Sequence, residues 1–175
     1  MCAGPGGKAA ILAGLASEAG ADFTALEPIP ARAHLVKNSL WNAPGEHQVI
    51  EIDARAFNPD HEFDRILVDA PCTGLGALRR RPEVRWRRTV QDLRALTELQ
   101  RELANAALSV LSVGGIFGYA TCSPHFAETF GQVKMILKDH PELEQIDVTP
   151  FIPTQLTGAV RDKSMALWTS VHDTD

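Results

Sequence analysis

A chain of 175 residues with 45% hydrophobic and 22% charged residues has the length and composition of one globular domain with one core. Its net charge of −5 argues against a protein coated with nucleic acid, although a net charge hides local clusters. No apolar run is long enough to cross a membrane and no signal-peptide pattern is present, so we predict a cytoplasmic protein without a membrane partner.

The cysteines are few and widely spaced. There are three, Cys2, Cys72 and Cys122, and this odd number at distant positions is unlike a disulfide framework. Cys122 and His125 have the spacing of a metal-chelating pair, but no second pair accompanies them. We therefore expect no metal site.

A glycine-rich loop opens the chain. Residues 2–7 read Cys-Ala-Gly-Pro-Gly-Gly, and Lys8 begins a helical pattern over residues 9–18 that is rich in Ala and Leu. A loop of this kind at the N-terminus of a helix presents backbone N–H groups and lets a ligand approach the main chain. Because glycine-rich loops are common, this loop alone indicates no particular ligand.

The next two predicted strands each end in an acidic residue. The first covers residues 21–27 and ends in Glu27, about 20 residues after the loop, the spacing at which a carboxylate accepts hydrogen bonds from ribose hydroxyls. The alternative is an exposed acid at a strand end. A helix over residues 30–41 leads to the second strand, residues 48–53, which ends in Asp53.

Two further predicted strands carry cysteines into loops. Residues 63–69 predict a strand that ends in Asp69, shortly before Cys72, and residues 115–120 predict a strand shortly before Cys122. In an open α/β sheet the carboxyl ends of the strands form the crevice where ligands bind, so both thiols are expected in a site. The alternative is that each is a small buried hydrophobic residue.

An arginine-rich segment lies between these two strands. Six of the ten residues 79–88 are arginine, and Trp86 is embedded among them. A run of charges is often only a solvated face, but arginine interleaved with an aromatic residue suits phosphate neutralisation and base stacking. The predicted nucleic-acid-binding residues are Arg79, Arg80, Arg81, Arg85, Trp86, Arg87 and Arg88.

The longest helical pattern covers residues 89–112, and we expect the Gly114-Gly115 pair to end it. A further helix is predicted over residues 127–138. Weaker apolar pieces indicate late strands and loops, at residues 146–148, 151–152 and 165–168. Strands that alternate with helices in this way predict an α/β fold with a mostly parallel sheet covered by helices on both faces.

Three ordered motifs, Cys2-Ala-Gly-Pro-Gly-Gly-Lys8, Asp69-Ala-Pro-Cys72 and Ala120-Thr-Cys-Ser123, resemble those of RNA 5-methylcytosine methyltransferases. The insert from Arg79 to Trp86 further resembles the Sun/RsmB (Fmu) branch, whose members methylate a cytosine in small-subunit ribosomal RNA. The resemblance covers nearly the whole chain and implies a Rossmann-like S-adenosylmethionine-dependent methyltransferase fold. The related DNA enzymes lack the Thr-Cys cysteine, whereas this chain carries both cysteines.

The resemblance implies a role for each motif. Cys122 would be the thiolate that adds to carbon 6 of the base and makes carbon 5 nucleophilic, and Cys72 would aid product release. Asp69 would contact ring nitrogen 3 or the cofactor. His125 and Glu128 receive no role. The residues that would contact S-adenosylmethionine are Cys2, Ala3, Gly4, Pro5, Gly6, Gly7, Lys8, Glu27, Asp53 and Asp69.

The chain departs from this family pattern at both ends. Members of the family have a hydrophobic strand before the segment equivalent to Cys2, a final apolar strand, and an N-terminal RNA-binding domain that resembles the antitermination factor NusB. We therefore expect residues 1–175 to form a catalytic domain truncated at both ends, and to be unstable or inactive alone.

Other functions stay open at this point. The substrate could be transfer RNA or another RNA, because target choice depends on surface shape and further domains. A non-catalytic RNA-binding relative would keep the fold, and a redox or metal protein would use the cysteines differently. The target nucleotide, the oligomeric state and the group that activates Cys122 are also open.

Overall fold

The computed structural model describes residues 1–167, which form two compact units. The first unit comprises residues 1–70 and 102–120, and the second comprises residues 71–101 and the described residues from 121 onward. The sequence predicts one domain, whereas the structure divides these residues into two units. Within residues 1–167, no helix is long and apolar enough to cross a membrane.

The first unit begins with alternating helices and strands. These are helix α1 (Gly7–Glu18), strand β1 (Phe23–Leu26), helix α2 (Pro30–Ser39) and strand β2 (His47–Ile50). β1 and β2 pair in parallel, and all four elements are predicted by the sequence. The second strand ends at Ile50, earlier than predicted, and the Asp53 side chain accepts a hydrogen bond from the Arg55 N–H at the start of a short 3-10 turn.

The core around this strand pair uses small and branched side chains. Ala9 and Ala13 of α1 pack with Ala25 of β1 and with Val36 and Leu40, and all five are buried. The short alanine side chains let α1 approach the strands closely. Burying each of the larger side chains contributes about 1.5–3 kcal/mol to stability.

A second parallel pair completes the strands of this unit. Strand β3 (Phe63–Asp69) pairs with strand β4 (Leu111–Ala120), with Asp69 opposite Ala120. Val68 of β3 is fully buried. The predicted α/β class with parallel strands is therefore confirmed.

The parallel strands form two separate sheets rather than one. The first residues of the chain lie between them, because the Ala3 N–H donates to Leu26 O at 3.0 Å and the Asp69 N–H donates to Met1 O at 3.3 Å. The amino group of Met1 also donates to Leu67 O at 2.7 Å. These few bonds bridge β1 and β3 without forming a continuous ladder.

The helix before β4 is shorter than predicted. Helix α4 covers Val90–Leu108, and its residues up to 101 belong to the second unit. The prediction that the helix continues to residue 112 and ends at Gly114-Gly115 is wrong. The Phe63 N–H donates to Val110 O at 2.9 Å and Leu111 pairs with Phe63, so pairing with β3 outweighs the helical apolar pattern.

The second unit consists mainly of helices and turns. It contains helix α3 (Val84–Arg87), the first part of α4 and helix α5 (Phe130–Asp139). The predicted helix over 127–138 begins later than expected because residues Phe126–Glu128 form a 3-10 turn. The His125 side chain caps this turn by accepting a hydrogen bond from the Ala127 N–H.

The weak apolar pieces near the end of the second unit form mostly turns. Two 3-10 turns cover Thr149–Phe151 and Thr154–Ala159, where late strands or loops are predicted. Strands β5 (Val160–Arg161) and β6 (Ser164–Met165) make a short antiparallel hairpin. The last residue of the predicted piece 165–168, Trp168, lies outside the described residues.

Candidate active site

The glycine-rich loop, residues 2–8, is held by the acid that follows β1. Glu27 is 1% exposed, and its Oε2 accepts a hydrogen bond from the Gly4 N–H at 2.9 Å while Oε1 accepts one from the Ile29 N–H at 3.2 Å. Arg32 donates from Nη2 to Gly4 O at 2.6 Å and places Nη1 3.8 Å from Glu27 Oε1. Glu27 thus anchors the loop, and its contact with a ribose stays a prediction.

Two positions of this loop require glycine. A Cβ on Gly4 would lie 2.8 Å from Glu27 Oε2, and a Cβ on Gly6, which has φ 120°, would overlap the Ser39 side chain. Pro5, Gly7 and Lys8 are exposed, and Cys2 and Ala3 are half-buried. A Cβ on Gly7 would meet nothing within 4 Å, so open space adjoins the N-terminus of α1, where backbone N–H groups lack helical partners.

A lysine from the loop meets the acid at the end of β3. Lys8 Nζ lies 2.9 Å from Asp69 Oδ2, with the two side chains 60% and 31% exposed. An ion pair this exposed contributes less than about 1 kcal/mol to stability. Both groups are therefore free to exchange their partner for a ligand at little cost.

The acid predicted after the second strand is bound by an arginine. Asp53 accepts hydrogen bonds from Arg55 Nε at 3.0 Å and from the Arg55 N–H at 3.0 Å, which lowers the pKa of its carboxyl. Arg55 also donates from Nη1 to Glu102 Oε2 at 2.6 Å. These residues line an open depression of about 700 Å³ on the first unit.

The two predicted site cysteines lie together in the second unit. Cys72 Sγ and Cys122 Sγ are 3.3 Å apart, with Cys122 exposed and Cys72 half-buried. The hydrogen bond with Cys122, burial, and the charge of Cys122 together raise the pKa of Cys72 far above its usual range. This raised pKa favours the protonated form of Cys72, and the exposed Cys122 is the more accessible nucleophile of the pair.

Gly76, which has no predicted role, lets the two cysteine loops lie close together. The Gly76 N–H donates to Cys122 O at 2.9 Å, and a Cβ at this position would lie 2.6 Å from the same oxygen. Gly74 takes the left-handed conformation with φ 73°. The pattern Thr-Gly-Leu-Gly after Cys72 is the sequence signal that indicates this close approach.

A cluster of buried polar side chains also joins the two cysteine loops. Glu128 accepts hydrogen bonds from Thr73 N–H, Thr73 Oγ1 and Gln100 Nε2, and Thr73 Oγ1 lies 3.1 Å from Ser123 Oγ. Gln132 extends the cluster by donating to Gln100 Oε1 at 3.3 Å. All five residues are at most 7% exposed. We call them the Glu128 cluster; the sequence motifs predict no role for Glu128.

The arginine-rich segment is exposed. Its six arginines and Trp86 are open to solvent, with Trp86 85% exposed beside the short helix α3. Arg88 donates from Nε to Thr73 O at 3.2 Å, which ties the end of the segment to the residue after Cys72. Among residues 1–167, no group of three or more His, Cys, Asp or Glu side chains is arranged to hold a metal ion.

The structure thus places the predicted site residues in two groups. The glycine-rich loop, Glu27, Asp53 and Asp69 belong to the first unit. The two cysteines and the arginine-rich segment belong to the second unit. Within each group, specific hydrogen bonds join residues that are far apart in the sequence.

Comparison with known proteins gives consistent matches over this chain. The family described as 16S rRNA methyltransferase RsmB/F matches residues 1–175. The protein MT1451 of Mycobacterium tuberculosis (strain CDC 1551 / Oshkosh) is 49% identical over 175 residues, which cover 100% of this chain and 38% of that protein. Ribosomal RNA small subunit methyltransferase B of Vibrio cholerae serotype O1 is 37% identical over 155 residues, covering 87% and 35%.

Solved structures share the fold. A crystal structure of PH0851 superposes with a TM-score of 0.86 and 27% identity, covering 97% of this chain and 38% of that one. NSun6 from Pyrococcus horikoshii, solved with SFG, superposes with a TM-score of 0.71 and 30% identity, covering 79% and 36%. The chain spans 38% of the length of MT1451, yet the family match extends over its whole sequence. The chain therefore belongs to the 16S rRNA methyltransferase RsmB/F family.

Proposed function

We propose that the protein transfers a methyl group from S-adenosylmethionine to carbon 5 of a cytosine in small-subunit ribosomal RNA, through a covalent adduct with Cys122. The observation that carries this proposal is the thiol pair, with Sγ atoms 3.3 Å apart and Cys122 exposed. The relative from Vibrio cholerae is named ribosomal RNA small subunit methyltransferase B, and this name supports ribosomal RNA as the substrate class. In this proposal residues 1–175 are part of the catalytic domain of a cytoplasmic enzyme.

The loop of the first unit suits S-adenosylmethionine, which supplies an activated methyl group when bound. Gly4 and Gly6 let the loop pack closely against Glu27 and Ser39, and the open space beside Gly7 adjoins the N–H groups of α1. The carboxylates of Asp53 and Asp69 can accept hydrogen bonds from S-adenosylmethionine. NSun6, whose structure contains the S-adenosylmethionine analogue SFG, supports this choice of cofactor.

In this reaction, Cys122 acts first as nucleophile. Its thiolate adds to carbon 6 of the cytosine, and the displaced electron pair moves toward ring nitrogen 3, which receives a proton from water. Carbon 5 becomes nucleophilic and takes the methyl group. The target cytosine must be single-stranded or flipped out of its helix to reach the thiol.

Cys72 then serves as the base that releases the product. Once Cys122 is bonded to carbon 6 it carries no charge, so the hydrogen bond and the charge that raise the pKa of Cys72 are gone and only burial still raises it. Cys72 can then lose its proton to water and take the proton from carbon 5. The electron pair of that C–H bond forms the double bond between carbons 5 and 6, Cys122 leaves as a thiolate, and nitrogen 3 returns its proton to water.

The arginine-rich segment is the proposed RNA-binding surface. Its exposed arginines can neutralise backbone phosphates, and Trp86 offers an exposed ring on which a base can stack. The bond from Arg88 to Thr73 O joins this surface to the loop that carries Cys72. RNA held here would therefore be near the thiols.

Methyl transfer to defined RNA tests the proposal. A form of the protein extended at both ends to the length of its relatives is incubated with radiolabelled S-adenosylmethionine and either small-subunit ribosomal RNA or transfer RNA, and the digested nucleosides are separated. We expect label in 5-methylcytidine, and no label with Cys122→Ala. Label only in transfer RNA would change the substrate class, and label on another position, or none with protein that binds the cofactor, would contradict the proposal.

A further inference from the structure

Glu128 is a buried acid of the second unit that has no role in the proposed reaction. Glu128 ends the 3-10 turn Phe126–Glu128 and is 0% exposed. Burial of a carboxylate is costly unless hydrogen bonds compensate it, so the donors that surround Glu128 indicate what the residue is for.

Those donors belong to the loop that carries Cys72. Glu128 Oε1 accepts from the Thr73 N–H at 2.8 Å, and Oε2 accepts from Thr73 Oγ1 at 2.5 Å. Gln100 Nε2 donates to Glu128 Oε1 at 3.1 Å and to Pro71 O at 2.8 Å. The residues on both sides of Cys72 are therefore fixed by one carboxylate and its glutamine neighbour.

Two hydroxyl groups, those of Thr73 and Ser123, connect the Glu128 carboxylate to the residue that follows Cys122. The only hydroxyl proton of Thr73 is donated to Glu128, so the 3.1 Å contact between Thr73 Oγ1 and Ser123 Oγ requires Ser123 to donate. Ser123 Oγ in turn accepts from the His125 N–H at 3.2 Å. Each hydrogen bond in this series is donated in the direction of Glu128. Because Ser123 directly follows Cys122 in the sequence, the series links Glu128 to the loop that carries Cys122.

We propose that Glu128 is a positioning residue that sets the contact between Cys72 and Cys122 by holding the neighbours of both. This inference rests on the proposed function only for the reason why the contact matters. In that function, the contact places Cys72 where it can take the proton from carbon 5 of the adduct that Cys122 forms. The proposed reaction gives Glu128 no chemical step. Glu128 acts through Thr73, Gln100 and Ser123.

A double-mutant cycle measures this positioning without RNA or cofactor. Alkylation of Cys122 by iodoacetamide is followed against pH by peptide mass spectrometry. In the wild type, the thiol of Cys72 stabilises the Cys122 thiolate, so Cys72→Ala should raise the midpoint of the pH profile by about one unit. In Glu128→Ala the contact is lost, and adding Cys72→Ala should change the profile no further.

Two companion variants separate positioning from charge and from general weakening. Glu128→Gln keeps the shape, and its amide can donate to Thr73 Oγ1 while its oxygen accepts the other bonds, so the effect of Cys72→Ala should survive. Ile136→Ala removes a buried side chain of α5, 4% exposed, in the same unit. It should also leave the effect of Cys72→Ala intact.

The proposal is overturned if Glu128→Ala retains the full effect of Cys72→Ala, or if Glu128→Gln loses it as completely as Glu128→Ala. Should Glu128→Ala fail to fold, Thr73→Val replaces it, because valine keeps the shape and removes one contact to Glu128. A full effect of Cys72→Ala in Thr73→Val would equally overturn the proposal. Failure of RNA methylation leaves these outcomes unchanged, so the two proposals fail separately.

Discussion

The buried carboxylate of Glu27 provides a quantitative test of how the glycine-rich loop is held. It is 1% exposed and accepts hydrogen bonds from the N–H groups of Gly4 and Ile29 at 2.9 and 3.2 Å. Hydrogen bonds to a charged group contribute about 1.5–3 kcal/mol each, so Glu27→Ala should lower the free energy of unfolding by about 3–5 kcal/mol. Glu27→Gln retains one acceptor, and about 1–2 kcal/mol is expected.

Urea denaturation followed by circular dichroism measures these differences. The matched control is Glu51→Ala, which removes an exposed acid of the first unit whose Oε1 lies 2.8 Å from Lys37 Nζ. The two side chains are 42% and 48% exposed, so the control should cost less than about 1 kcal/mol. A cost for Glu27→Ala as small as that of the control would refute the anchoring role.

Cofactor titration of the same variants separates two roles of Glu27. If the acid only anchors the loop, affinity for S-adenosylmethionine should fall in proportion to the loss of stability. Calorimetric titration of Glu27→Gln is the decisive case. A large loss of affinity with little change in the free energy of unfolding would identify Glu27 as a direct ligand of the ribose.

Two further predictions concern the second unit. In Cys122→Ala the hydrogen bond and charge that raise the pKa of Cys72 are absent, so this pKa falls and Cys72 should be alkylated faster than in the wild type at about pH 8.5; an unchanged or slower rate would contradict the coupling. Trp86→Ala should weaken RNA binding by about 1–3 kcal/mol in filter binding at fixed salt. Its control is Trp41→Ala, which removes an 83% exposed tryptophan of the first unit and should leave RNA binding unchanged.

The sequence predicts those features that depend on local pattern. The glycine-rich loop, the strand that ends in Asp69 and the strand before Cys122 each have a short-range signal, and parallel pairing brings two strand ends to one edge. This is why the proximity of Cys72 and Cys122, fifty positions apart, is predictable without a structure.

Features that depend on competition between distant segments are not predictable in this way. The apolar residues Val110 and Leu111 suit a helix as well as a strand, and only pairing with Phe63 decides for β4. Glu128 looks like an ordinary acid near a helix start. Its burial depends on donors from Thr73 and Gln100, which no local pattern connects to it.

The covalent bond between Cys122 and the base is the central claim, and trapping it is the most direct test. The protein, extended at both ends to the length of its relatives, is mixed with S-adenosylmethionine and ribosomal RNA that contains 5-fluorocytosine, whose fluorine cannot leave as a proton does, so the adduct persists. We predict a retarded protein band on a denaturing gel with the wild type and with Cys72→Ala, and none with Cys122→Ala. A band that survives Cys122→Ala, or no band from folded protein that binds the cofactor, would contradict the account.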